Sequence, residues 1–198
     1  MEVWATAVTL FLIMDPFGNL PIWMSVLSHV PRERRQRIVA RESLIALIIM
    51  LFFLYSGPSI LRVLNLSREA LAIAGGLVLF IIAMRMIFPS RGGVMGDDDD
   101  DSEPLIVPLA MPLFAGPSLL AMLILLVEGD PQHMQRWLIA VLAAWAAASV
   151  ILISGSYFYR FLGNRGLKAI ERLMGMILLS ISVQLLLNAI STYVQQII

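Results

Sequence analysis

Cysteine is absent from this 198-residue chain, charged residues make up only 14% of it, and acids and bases balance to a formal charge of zero. Without cysteine there are no disulfides, thiolate metal ligands or cysteine nucleophiles. A balanced charge offers no basic face to nucleic acid and no acidic excess of the kind that keeps a chain disordered. Enzyme signatures are missing too: there is no His-Glu-x-x-His, Gly-x-Ser-x-Gly or Walker loop, and a carboxylate-pair protease needs two acids in one site. The chain is therefore not expected to be an enzyme, and any transport by it is passive or coupled to an ion gradient.

What the chain has in abundance is apolar residues. They form 59% of the sequence, with a mean hydropathy of +0.85, against about 45–50% in soluble domains. Crossing a bilayer takes about 20 mostly apolar helical residues. Six such stretches are expected, at roughly 3–27, 43–64, 70–88, 105–127, 137–159 and 173–194. The first is read as an uncleaved helix, because it starts with Glu2 rather than basic residues and no small-x-small cleavage site follows it. Eleven of the fourteen Lys and Arg residues fall in loops one, three and five, and three (Arg62, Arg68, Arg136) on the other side. Basic residues stay cytoplasmic, so both termini are expected on the periplasmic, outer side.

An odd number of spans per half requires that any duplicated halves be inverted. Pro16-Phe17-Gly18-Asn19-Leu20-Pro21 in the first span has its proline spacing repeated in Pro112-Leu113-Phe114-Ala115-Gly116-Pro117 of the fourth. The run starting at Gly76 aligns with that starting at Gly175 at nearly the same offset. Each proline lacks an N–H and clashes with the carbonyl four residues earlier, so helices 1 and 4 are expected to break at these motifs. Broken backbone at membrane depth is tolerated where it lines a cavity or is buried in protein. The half-helix beginning near Gly18 and Asn19, and the one beginning near Gly116, would then offer amide donors to an anionic group. The alternative is that the prolines are packing kinks.

Asp15 is the one acidic side chain well inside a span, and an intramembrane carboxylate is costly enough to be a functional candidate. It would bind a substrate ammonium or a coupling H⁺ or Na⁺, or cap the helix that follows. Asn19 and Ser118 flank the breaks and would face a cavity or satisfy nearby backbone. Gln184, midway along the last span, would face the cavity or the backbone of another helix. Gly75, Gly76 and Gly175 suit close helix approach. The Asp97 to Asp101 run reads as a solvated linker, since it lacks the ligand spacing of a calcium loop. His29 and His133 fall on opposite sides, and no metal site or other cofactor is expected.

Three stretches, Met14-Asp15-Pro16-Phe17-Gly18-Asn19-Leu20-Pro21, Pro108 through Pro117, and Glu171-Arg172-Leu173-Met174-Gly175, together resemble the MarC family (UPF0056) of six-span bacterial inner-membrane proteins. The resemblance covers essentially the whole chain, with the Asp97 to Asp101 run outside the motifs. It implies a multi-pass protein of the inner membrane, related to SnatA-type proteins associated with uptake of small neutral amino acids. The expected fold is an all-α membrane protein: two inverted three-helix repeats, 1–90 and 104–198, joined by an acidic cytoplasmic linker at 91–103. The expected function is secondary transport of a small neutral amino acid or similar zwitterion. Asp15, Gly18, Asn19, Gly116, Ser118 and Gln184 are the candidate binding residues; Pro16, Pro21, Pro112 and Pro117 mark the breaks. The partners are the lipid bilayer and a small-molecule substrate, not nucleic acid. A homo-oligomer, an exporter or channel for another solute, and a non-transporting scaffold all stay open.

Overall fold

The computed structural model describes residues 2–27, 31–88 and 114–197, and every regular element among them is helical. In chain order these are α1 (Val3–Met14), α2 (Pro16–Val26), α3 (Arg32–Leu64), α4 (Arg68–Ile87), α5 (Pro117–Gly129), α6 (Met134–Ile153) and α7 (Gly155–Ile197), with a 3₁₀ turn at Pro131–His133 before α6. Five stretches are long and apolar enough to cross a membrane: Val3–Leu20, Arg34–Leu64, Arg68–Ile87, Pro131–Ile153 and Lys168–Gln195. α5, at 13 residues, is shorter than a bilayer requires. The residues that would complete its span, together with Pro112 and the linker at 91–103, lie outside the described residues.

Two expected loops prove to be helix. The arginine-rich segment between the first two spans begins α3 at Arg32, directly after Pro31. Arginine is a good helix former, so the charges occupy turns of α3 that precede its apolar stretch. Arg160, Arg165, Lys168 and Arg172 likewise lie on α7, which starts at Gly155 because α6 stops at Ile153, six residues short of the expected end. The one interruption in α7 is Gly163, at φ 60° and ψ 176°, a conformation essentially confined to glycine. The α3–α4 turn is closed by its own chemistry. Asn65 is left-handed at φ 53°, the Asn65 and Leu66 amides donate back to Arg62 and Leu61 carbonyls, and the Ser67 hydroxyl caps α4 by accepting the Ala70 amide at 3.1 Å.

Small residues set the packing. A Cβ on Gly76 would stand 3.0 Å from the Leu186 side chain of α7, and one on Gly175 would stand 3.0 Å from Met86 Cβ and 3.2 Å from the Ala83 carbonyl of α4. A Cβ on Gly75 would lie 2.8 Å from Ala121 Cβ, where α4 meets α5. These three glycines permit the close approach their positions suggested. Otherwise α1 packs on α5 and α6, α2 on α6 and α7, and α3 on α5 and α6. The Trp145 indole of α6 donates to the Ser43 carbonyl of α3 at 2.7 Å. The main core joins α1, α2, α3, α5 and α6; a smaller one, built on Leu79, Ala83, Met86, Met174 and Leu178, joins α4 to α7. Ile13 and Phe17 belong to the edges of both, which places the α1–α2 junction where the two cores meet.

Candidate functional site

The first helix breaks at Asp15, between α1 and α2. Asp15 adopts the left-handed conformation, φ 43° and ψ 60°, which aspartate tolerates better than most residues. Its amide still closes α1 by donating to the Phe11 and Leu12 carbonyls, both at 3.1 Å. Its side chain, 5% exposed, then caps α2: Oδ1 accepts the Gly18 amide at 3.1 Å. The Asn19 carboxamide donates to the Met14 carbonyl at 3.0 Å, and the Asn19 amide donates to the Asp15 carbonyl at 3.1 Å. The capping role of Asp15 and the backbone role of Asn19 are thus both real. They also use the two amides expected to be free for a guest, because the chain supplies its own acceptors. Pro16 opens α2; Pro21 does not break it, since the helix runs on to Val26.

Gly18 is required by this geometry. A Cβ there would collide with Asp15 Oδ2 and Met86 Cε and stand 2.8 Å from Asp15 Cγ. The neighbourhood holds a second acid that sequence reasoning missed. Glu171 of α7, partly buried, lies close enough to act electrostatically on Asp15. Reading residues 160–172 as a loop hid it, and its only trace in the sequence was its place in the Glu171 to Gly175 motif.

The second proline motif is described only from Phe114 onward, and the start of α5 there is built differently. Gly116 precedes α5 in an extended conformation with no side-chain cap, and Pro117 takes the first helical position, where its missing N–H costs nothing. Ser118 is 4% exposed, and its hydroxyl has no partner among the described residues. A buried hydroxyl without a partner costs roughly 1–3 kcal/mol, so Ser118 and the α5 N-terminus together form a donor-rich, uncapped spot. Phe114 and Ala115, just before it in the chain, are themselves buried.

The two breaks reach α4 at different heights. Met86 touches the first and Gly75 the second, with Ser118 Cα 3.8 Å from the position of a Gly75 Cβ. Eleven residues separate Met86 from Gly75, about 16 Å along the axis at 1.5 Å per residue. They are two stations on one wall.

Gln184 belongs to neither. It is exposed on α7, and its amide donates to Asn188 Oδ1 on its own helix at 2.8 Å, because helical spacing puts residues four apart on one face. Asn188 in turn lines an open cavity of about 860 Å³ beside the α3–α4 turn. Glu42, just outside the expected second span, is also buried. It is 1% exposed, with Oε1 accepting from Arg41 at 2.9 Å and Oε2 unpartnered among the described residues. Among the described residues no three His, Asp or Glu gather as a metal site. His133 pairs with Asp130 at 2.7 Å, and His29 lies outside the described residues.

Known proteins resemble the chain over nearly its whole length. The MarC family integral membrane protein profile matches residues 1–194. The chain is 49% identical over 194 residues to the UPF0056 inner membrane protein YhgN of Escherichia coli K12, covering 98% of both. It is 46% identical to a UPF0056 membrane protein of Buchnera aphidicola from Schizaphis graminum, over 97% of both, and 32% identical to one of Pyrococcus abyssi, over 92% of this chain and 91% of the other. No solved structure matches the chain. With its apolar helices, its helix break at Asp15-Pro16 and these full-length relatives, the chain is a multi-pass membrane protein that belongs to the MarC family.

Proposed function

We propose that the chain is a secondary transporter of small neutral amino acids or similar zwitterions, built as two inverted three-helix repeats. The observation that carries this reading is the pair of helix N-termini inside the bundle, one with a buried carboxylate and the other, among the described residues, with neither a side-chain cap nor a partner for the Ser118 hydroxyl. Discontinuous helices with such ends are how many transporters hold substrates and coupling ions near the bilayer midplane.

The packing pattern supports the inverted repeat. Exchanging the first three spans for the last three turns the α1–α6 contact into α5–α3 and the α2–α7 contact into α5–α4, and all four occur. The α4–α7, α3–α6 and α1–α5 contacts map onto themselves. The arginine bias favours both termini on the outer side.

Roles follow from the two stations. Ser118 and the amides that open α5 after Gly116 take the substrate carboxylate, which a helix N-terminus favours. Asp15, with Glu171 near it, takes the coupling H⁺ or Na⁺. The roughly 16 Å offset along α4 speaks against one small molecule bridging both, so the ammonium is assigned elsewhere than Asp15. Gly18 and Asn19 shape the Asp15 station instead of touching substrate. Rocking of one repeat against the other would couple the stations.

Uptake of labelled alanine or glycine into proteoliposomes, under H⁺ and Na⁺ gradients separately, tests this. Saturable uptake driven by one gradient is expected. Folded protein that moves neither substrate under any gradient overturns the reading, and non-saturating, gradient-independent flux makes the chain a channel.

A further inference from the structure

The cavity beside the α3–α4 turn has a wall chemistry that the two breaks lack. Arg68 and Glu128 pair across it at 2.9 Å, linking α4 to α5. A second guanidinium, Arg62, is held on its own helix by the Pro58 carbonyl and the Ser59 hydroxyl, both at 3.3 Å. The opposite wall is α7, which contributes Asn188 and Thr192. Both signs of charge therefore stand in one open cavity, with neutral donors and acceptors facing them. That pattern complements a small molecule carrying an ammonium and a carboxylate together; a plain anion or cation would use half of it.

Position gives the cavity its meaning. Ala72 of α4 and Leu125 of α5 lie at its base. About one turn deeper, Gly75 and Ala121 close the seam between these helices, so tightly that a Cβ on Gly75 would stand 2.8 Å from Ala121 Cβ. Ser118, one turn deeper again on α5, packs against the same Gly75. Along the α4–α5 seam, small residues thus stand between the cavity and the α5 N-terminus. Small residues without polar side chains part more readily than an interlocked or hydrogen-bonded layer, because no large knob must leave its hole and no hydrogen bond must break.

We propose that this cavity is the entrance vestibule of the protein: a docking site for a small zwitterionic amino acid, closed from the Ser118 station by the Gly75–Ala121 seam. The proposal rests on the transporter reading and adds a second, shallower ligand site to it, on the face that carries both chain termini.

The natural absence of cysteine makes the test direct. Thr192→Cys puts a single thiol on the exposed α7 wall of the cavity; the Thr192 hydroxyl donates to the Asn188 carbonyl of its own helix, at 2.9 Å. Gly129→Cys, where a Cβ meets nothing within 4 Å and which does not line the cavity, is the control. Each variant in right-side-out proteoliposomes is treated with a bulky, membrane-impermeant maleimide, with and without alanine, and uptake is measured before and after. At alanine ten times its Kd, the Thr192→Cys thiol should react about tenfold more slowly, as occupancy dictates, and the labelled protein should lose uptake. Gly129→Cys should show neither effect.

Unchanged labelling rates, or full uptake by the labelled Thr192→Cys protein while the unmodified chain transports, overturn the vestibule and leave transport standing. Protection of Thr192→Cys by alanine in a protein that moves no substrate supports the docking site while overturning transport. Absence of both overturns the two together.

Discussion

Gly18→Ala is the most informative single methyl in this protein. The added Cβ would fall on Asp15 Oδ2 and Met86 Cε and 2.8 Å from Asp15 Cγ. The methionine tip can swing away, but the carboxylate is fixed by the 3.1 Å bond from the Gly18 amide and by a left-handed backbone. Moving it breaks the cap and leaves a carboxyl 5% exposed without its donor. Leaving a buried polar group unsatisfied costs about 1–3 kcal/mol, and a lost cap alone costs about 1 kcal/mol. We expect Gly18→Ala to destabilise the fold by about 2–3 kcal/mol, although alanine is intrinsically better in a helix by up to about 1 kcal/mol. In an Asp15→Gly background the carboxylate is gone and glycine accepts φ 43° without strain. There the same methyl should cost under about 1 kcal/mol, for a coupling of roughly 2 kcal/mol, well above the additivity error of separate sites. Unfolding in mixed micelles by SDS titration, followed by the fluorescence of tryptophans including the buried Trp23, measures all four proteins. If Gly18→Ala costs the same in both backgrounds, Gly18 does not act through Asp15 and the account of the first break is wrong.

Ser118→Ala separates a binding group from a structural one: losing an unpartnered buried hydroxyl should leave stability unchanged or raise it by up to about 1 kcal/mol, while alanine binding, read by thermal shift, weakens. A destabilised Ser118→Ala would mean that the hydroxyl is used structurally. Gly75→Ala, which sets two methyls 2.8 Å apart, should cost about 1–3 kcal/mol by overpacking, and Ala121→Gly should restore most of it; no rescue in the SDS titration refutes the seam. Gly163→Ala meets no neighbour within 4 Å, so its expected cost of about 1–3 kcal/mol comes from backbone strain alone, and circular dichroism melts with no loss would show that α7 straightens there at little cost.

Much of this was legible because the strongest signals are local. Pro16, Gly18 and Asp15 sit within four residues of one another, and proline chemistry plus a carboxylate at depth suffices to place a break there. Gly75, Gly76 and Gly175 announced close packing because a missing side chain in an apolar span has few other uses. The illegible parts depend on tertiary context. Pro21 reads as a breaker, yet α2 absorbs it. Arginine runs read as loops because hydropathy measures where lipid ends, not where helix ends, so the start of α3 and the position of Glu171 on α7 were both lost. Gln184 looked aimed inward because nothing in one helix's sequence reveals which face its neighbours cover.

The unequal chemistry of the two breaks is the feature that a duplicated sequence would least suggest. Both carry the same proline spacing, yet the residue before the first motif is Asp15 and the corresponding one before the second is Met111. A carboxylate at the first break means α2 carries its own anion, so the positive end of that helix is already neutralised and its Gly18 donor used. An anionic guest would gain little there and would meet Asp15 and Glu171 as like charges. At the start of α5 no side chain among the described residues caps the helix, and the Ser118 hydroxyl has no partner among them. If the chain is the transporter we propose, the first station suits a cation and the second a carboxylate, and the built-in carboxylate of Asp15 is the place for a coupling ion that a symmetric pair of anion sites would lack.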